Sequence, residues 1–394
     1  MLIAAPAVLT TQVGDEPVPR GYVAIEGGVV THAGHGSSPR RPDVELPDGL
    51  LVPGLIDLQV NGYYGIEFQR ADESAWATVA GRLPETGTTA FLPTVITAPI
   101  AELAATLRQA AGFAPSPGGG ARVLGVHVEG PFIAPSRRGA HNPAYITDPT
   151  PAAIEELLAA GAGVLRLVTL APELPGALAA IARLAAAGVL VSVGHSDATA
   201  AQVARAADAG ARKVTHLFNA QRPLGHREPG VPGQALTDRR LTSGLIADLW
   251  HVAAEVCQIA FAAAPGRIAL VTDAAACAGM PPGEYLLGGE PIMLPSGDGE
   301  PPVRADGTIA GSALRMDRAV ANAVSCGIPL AAALAAATRV PADLIGRPDL
   351  GRLAAGAAAD LVWLSPDLRT RATWIGGRLA YSDGAAATLA AAPA

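Results

Sequence analysis

The sequence predicts an α/β protein: a (β/α)8 TIM-type barrel plus a small β-domain built from both chain termini. Three observations predict it. Eight apolar, strand-like runs alternate with helix-compatible Ala/Leu/Glu/Arg stretches, and such alternation makes a parallel sheet that closes at eight strands. Asp57, Glu129, His195, His216 and Asp273 lie at or near the C-terminal ends of these runs, the end at which such barrels carry active sites. Both ends of the chain read as short β-strands separated by turns.

The ends come first. Residues 1–50 contain GYVAIEGGVVTHAG, a turn at Ser38-Pro39-Arg40-Arg41-Pro42, and DVELPDG. Glycine pairs and β-branched residues favour a β-meander there. ADLVWLSP and TRATWIGGRLAYSDG near the other end alternate apolar and polar residues in the same way. The expected organisation is a β-sandwich-like domain from residues 1–50 and 355–394, and a catalytic barrel from residues 51–354. The last ten residues, AAATLAAAPA, are low in complexity and expected to fray.

The eight runs are residues 50–57, 90–96, 123–129, 165–170, 189–195, 214–218, 243–248 and 268–273. Helices are expected over 72–87, 98–111, 150–161, 174–188, 198–210 and 251–265, with further ones near 314–325 and 330–345. The Pro/Gly-rich segment 283–307 reads as an irregular or β-hairpin insertion after the eighth strand.

Composition narrows the function. Half of the 394 residues are hydrophobic, enough for a large core, and the net charge of −7 argues against a nucleic-acid partner. Lys213 is the only lysine, so an anionic ligand would meet arginine, histidine or backbone N–H groups. No uninterrupted apolar span reaches the ~20 residues a membrane helix needs, and the N-terminus lacks the charged start of a signal peptide. Cys257, Cys277 and Cys326 are scattered and odd in number, which suits buried, reduced thiols in the cytoplasm.

Glu129, His195 and His216 offer one carboxylate and two imidazoles. That set suits one catalytic divalent metal, Zn2+ first, with Fe2+, Co2+ or Mn2+ as alternatives. Metal-bound water can reach a pKa of ~7. Asp273, in VTDA, is placed to take a proton from that water and return it to a leaving amine. His127 shares a strand face with Glu129 and is read as an interior residue. His32 and His35 are read as solvated. His141, Asn219, Arg227 and His251 lie on loops at the presumed rim and could hold a polar, anionic substrate.

Several motifs then carry a resemblance. PGLIDLQVNG (53–62), GVHVEGPFI (125–133), RRGAHN (137–142), VGHSDAT (193–199), THLFNA (215–220), VTDA (271–274) and GTIAGS (307–312) resemble the N-acetylglucosamine-6-phosphate deacetylase family of the amidohydrolase superfamily. The resemblance spans nearly the whole chain. It implies hydrolysis of the acetamide of N-acetyl-D-glucosamine 6-phosphate by metal-bound hydroxide. Glu129, His195 and His216 would be metal ligands and Asp273 the general base, then acid. It also implies contacts to the sugar phosphate from His141, Asn219, Ala220, Arg227 and His251. Arg227 would complete a neighbouring subunit's site, so a homodimer is expected.

Gln59-Val60-Asn61 stands where many amidohydrolases have His-x-His, and the fourth run has no lysine to bridge two metals. Both differences favour a single metal, with Gln59 or Asn61 bonding water or substrate. HLFNA continues as Gln221-Arg222-Pro223, where methionine is more often expected after the alanine. The competing readings are an N-acetylgalactosamine-6-phosphate deacetylase, another metal-dependent amidohydrolase, and a non-catalytic sugar-phosphate sensor. A sensor would need no proton carrier.

Overall fold

A computed structural model describes residues 1–11, 16–36, 38–113, 120–295 and 299–384. The low-complexity end at 385–394 lies outside the described residues. Eight parallel strands form the barrel: β1 (Leu55–Val60), β2 (Thr88–Ile96), β3 (Val126–Glu129), β4 (Leu165–Leu170), β5 (Leu190–Val193), β6 (Lys213–Val214), β7 (Thr242–Leu245) and β8 (Ile268–Leu270). They pair in sequence order. A bridge between Val60 and Ala274 joins the last to the first. One helix follows each strand: α1 (Glu73–Arg82), α2 (Ile100–Gly112), α3 (Pro151–Ala160), α4 (Ala177–Ala186), α5 (Ala200–Ala209), α6 (Gly230–Thr237), α7 (Ala254–Ala263) and α8 (Met316–Ser325). Two more, α9 (Leu330–Ala337) and α10 (Arg339–Leu344), come after α8.

The local causes are readable. All nine residues of β2 are buried, as expected where helices cover one face and the barrel interior the other. The Asp72 side chain caps α1 and Thr150 caps α3. Thr199 and Gln202 make a reciprocal capping box that starts α5 two residues beyond Asp197. A polar layer crosses the barrel interior under the rim: His127 bonds Thr94 and Thr169, Thr169 bonds Thr215, and Thr215 bonds Ser192. Both ring nitrogens of His127 are thus committed. Burial holds that ring neutral, with its pKa pushed down to about 3.

Several sequence expectations need correction; the run 123–129, for one, is two strands, Arg122–Val123 and Val126–Glu129. The run 50–57 is two strands. Leu50–Pro53 joins the terminal sheet and only β1 enters the barrel. The chain changes sheets at Gly54, where a Cβ would lie 2.0 Å from Thr89 Oγ1. The run 214–218 is strand only through Val214, because His216 and Phe218 turn left-handed, with φ of +27° and +77°. Helix α6 was not expected, since GVPGQALT carries two glycines and a proline; the chain turns into it at Gly230, which has a φ of +60°.

Both ends of the chain contribute to one eight-stranded sheet, as expected. Its order is 378–382, 370–375, 361–364, 50–53, 2–8, 18–26 and 29–35, with 44–45 also paired to 2–8. It has its own core, including Ile3, Val23, Leu51, Trp363 and Trp374. A bidentate Arg122–Asp360 ion pair, with bonds of 3.0 Å each, ties it to the barrel. The insertion after β8 contains a β-hairpin, Gly283–Leu287 and Glu290–Leu294. Its Leu287, Ile292 and Leu294 pack on Ile96, Ala140 and Cys277 beside the rim.

Candidate active site

Glu129 is the last residue of β3 and is 2% exposed. His195 and His216 each follow the end of a strand by two residues, after β5 and β6. Glu129 Oε1 lies 3.0 Å from His216 Nε2 and 3.4 Å from His195 Nε2, and the two nitrogens are 3.1 Å apart. Ligand atoms about 2.0–2.1 Å from a tetrahedral zinc ion stand roughly 3.3 Å from one another. The three atoms therefore have the mutual spacing of metal ligands. His195 Nδ1–H donates to the Arg137 carbonyl at 2.9 Å, which turns Nε2 toward the cluster. The Nδ1 of His216 is buried without a partner among the described residues.

A second possible ligand set, Glu129, His141 and His195, has its ligand atoms within 4.8 Å. The set with His216 is the tighter one, because His216 Nε2 is within 3.1 Å of both other ligand atoms. His141 Nδ1 is tied to Thr97, 2.7 Å from its hydroxyl and 3.4 Å from its amide, which donates to it. Nε2 of His141 is left as the free ring nitrogen. Burial and the neighbouring His195 hold the His141 ring neutral. This buried Glu/His/His group could hold a metal ion, and the donor types fit one.

Electrostatics divide the carboxylates. Burial opposes the charge on Glu129, but hydrogen bonds from His195 and His216 outweigh it and hold its pKa well below the usual range. Burial also opposes charge on His195, and the bond to Glu129 outweighs it, raising the pKa. Asp273 lies three residues beyond β8 with φ at +52°. Its Oδ1 accepts from Asn61 Nδ2 at 2.7 Å and Gln59 Nε2 at 3.1 Å. Burial, then the Glu129 charge, pushes the Asp273 carboxyl up. Gln59 Nε2 also donates to Glu129 at 3.0 Å, so one amide spans both carboxylates. Gln59 Oε1 and Asn61 Oδ1 are buried acceptors without a partner among the described residues.

A cleft of about 360 Å3 opens over these groups, lined also by His141, Asn219, Ala220 and His251. His251 is oriented by Asp248, whose Oδ2 is 2.6 Å from Nδ1. Arg227 does not reach the cleft; it is exposed on the loop after β6. Thr308, Ile309, Gly311 and Leu287 also line it and were not predicted. GTIAGS marked that loop in the sequence, but no residue type in it announces chemistry. A larger groove of about 530 Å3 lies beside α7 and α9, near Pro265 and Pro329, with no metal-ligating cluster among its described residues.

The sequence model of the amidohydrolase family matches residues 50–380, and the chain belongs to that family. Its relatives within that family include amino-sugar phosphate deacetylases. The chain is 39% identical over 334 residues to the N-acetylgalactosamine-6-phosphate deacetylase of Escherichia coli O157:H7, covering 84% of this chain and 88% of the relative. It is 39% identical over 345 residues to the N-acetylglucosamine-6-phosphate deacetylase of Bos taurus, covering 84% and 83%. A solved structure of a variant N-acetyl-D-glucosamine-6-phosphate deacetylase from Mycobacterium smegmatis, in complex with N-acetyl-D-glucosamine-6-phosphate, superposes with a TM-score of 0.90 at 36% identity. That match covers 97% of this chain and 99% of the other. The resemblance in the motifs is thereby borne out.

Proposed function

We propose that this enzyme hydrolyses the acetamide of N-acetyl-D-glucosamine 6-phosphate to D-glucosamine 6-phosphate and acetate. The observation that carries the reading is the pairing of the Glu129/His195/His216 cluster with a buried, proton-seeking Asp273 that shares Gln59 with it. Glu129, His195 and His216 would hold one divalent metal, zinc first, whose Lewis acidity lowers the pKa of water and polarises a carbonyl. Asp273 takes the proton of the attacking water. It returns that proton to the nitrogen as the C–N bond breaks, so the amine leaves neutral with acetic acid, whose remaining proton passes to solvent to give acetate. His141 points its free Nε2–H at the acetamide oxygen, where negative charge develops. Gln59 and Asn61 hold the Asp273 carboxylate, and their free carbonyl oxygens accept from water or a sugar hydroxyl.

Asn219, Ala220 and His251 form the wall that would receive the sugar phosphate. Arg227 is assigned to the site of a second copy. Exposed Leu224, Leu249 and Trp250 lie on the same two rim loops as Arg227 and His251, and they support a homodimer across this face. Among the described residues no helix is long and apolar enough to cross a membrane. Three buried free thiols suit the cytoplasm as the proposed location. The galactosamine epimer is the second reading, since the chain is 39% identical both to the E. coli galactosamine enzyme and to the bovine glucosamine one.

The test is acetate release from both epimers and from unphosphorylated N-acetylglucosamine, after chelation and after reloading with single divalent metals. Fast, metal-restored release that needs the phosphate is expected. No release from any of them would remove the substrate assignment.

A further inference from the structure

We propose that Gln221 positions His216: its buried carboxamide fixes the backbone on both sides of this ligand, whose Nδ1 has no hydrogen-bond partner among the described residues. The inference rests on the reading of Glu129, His195 and His216 as metal ligands. Gln221 is 4% exposed. Its Nε2 donates to the carbonyl of Thr215 at 2.7 Å, and its Oε1 accepts the N–H of Phe218 at 3.1 Å. Those two groups bracket His216 and Leu217. Both bonds fix which end of the amide is which, since one partner is an acceptor and the other a donor.

The segment needs such support. Beyond Val214 only single backbone bonds to the neighbouring strands remain, from Thr215 N to the Val193 carbonyl and from Leu217 N to the Gly244 carbonyl, and His216, Phe218 and Ala220 all have positive φ, at +27°, +77° and +50°. Non-glycine residues hold this conformation only when their surroundings enforce it. His195 is oriented through its ring, by the Arg137 carbonyl. His216 Nδ1 has no partner among the described residues, so its ring direction follows from its backbone. Gln221 is itself anchored: the Ala220 carbonyl accepts from Ser196 N, and Arg222 N donates back to the Ser196 carbonyl. Arg222 also bonds Asp197, which bonds Arg137, the residue whose carbonyl orients His195. One polar network thus sets both histidines. A methionine at position 221 would fill the same space and make neither bond to the turn.

The experiment is a titration of Co2+ into metal-stripped protein against a chelator of known affinity, read also by the ligand-field absorption of the bound ion. Wild type, Gln221→Met, Gln221→Glu and Glu129→Ala are compared, with thermal unfolding of each metal-free protein. Gln221→Met is expected to weaken Co2+ binding about 10–100-fold, the usual cost of losing a group that orients a ligand. Its absorption bands should shift even at saturation, which loss of stability alone would not do. Gln221→Glu keeps the acceptor for Phe218, loses the donor to Thr215, and should fall between. It carries the test if the methionine variant does not fold. Wild-type affinity and bands in both variants would overturn the role of Gln221. Failure of wild type to bind one ion, or undiminished binding by Glu129→Ala, would instead overturn the metal centre.

Discussion

In the proposed reaction two demands meet at Asp273: the carboxylate must be basic enough to take a proton and must stay aimed. Burial and the Glu129 charge supply the first, and the amides of Asn61 and Gln59 the second. Asp273→Asn should keep its metal and lower turnover by about 10²–10⁴-fold, the usual worth of a positioned acid–base group. Metal content together with single-turnover acetate release would check this. Asp57, by contrast, is a carboxyl with a structural task. It accepts from the Thr272 hydroxyl at 2.5 Å, and burial pushes its pKa up to about 7. The unfolded chain releases this proton near pH 3.9, so the folded form is favoured below that pH and loses the advantage as pH rises through about 7. Denaturant unfolding at pH 5 and pH 8 should show the wild type losing stability relative to Asp57→Asn, by at most about 1.4 kcal/mol per pH unit. Both aspartates end apolar runs and look alike in the sequence. Only the folded surroundings, an amide pair for one and a hydroxyl for the other, separate them.

Elements carry the next level of information. The rim was readable from the chain because Glu129, His195 and His216 each interrupt apolar strand sequence at its end. Strand limits were less readable where two sheets share one apolar run. Leu50–Pro53 and β1 are equally buried, and the change of sheet between them depends on the space beside Gly54. A Cβ there would meet Thr89 Oγ1 at 2.0 Å, so Gly54→Ala should destabilise the protein by about 1–3 kcal/mol through overpacking. The midpoint of urea unfolding would measure it. Pairing it with Thr89→Ala, which removes both the hydroxyl 2.0 Å and the methyl 2.6 Å from that point, should recover part of the loss. The unpredicted parts of the site share one cause. The Arg137 carbonyl, Thr308 and Ile309 reach the cleft through loops, where no periodic pattern reports which atoms turn inward.

For the whole molecule, the open question of assembly becomes a measurement. Arg227 is exposed and outside the cleft of its own chain. Arg227→Ala should leave the mass measured by sedimentation at two chains, raise KM for the phosphorylated sugar about tenfold or more, and leave the unphosphorylated sugar unaffected. Equal effects on both sugars would remove the phosphate contact, and a single-chain mass for wild type would remove the neighbouring copy. The barrel was legible as a whole because eight runs with helices between them admit few other closures. The terminal sheet was legible only as two sets of strands, since nothing local in Leu361–Leu364 names Leu50–Pro53 as its partner. That pairing also sets a schedule for synthesis. The strands at the front of the chain must wait for a partner made roughly 300 residues later, about 15–60 s at ~5–20 residues per second. Throughout that interval the edge of Leu50–Pro53 stays open on the ribosome. The nascent protein is thus most vulnerable to aggregation before its last strands emerge, and a shortage of chaperones should be felt first in yield.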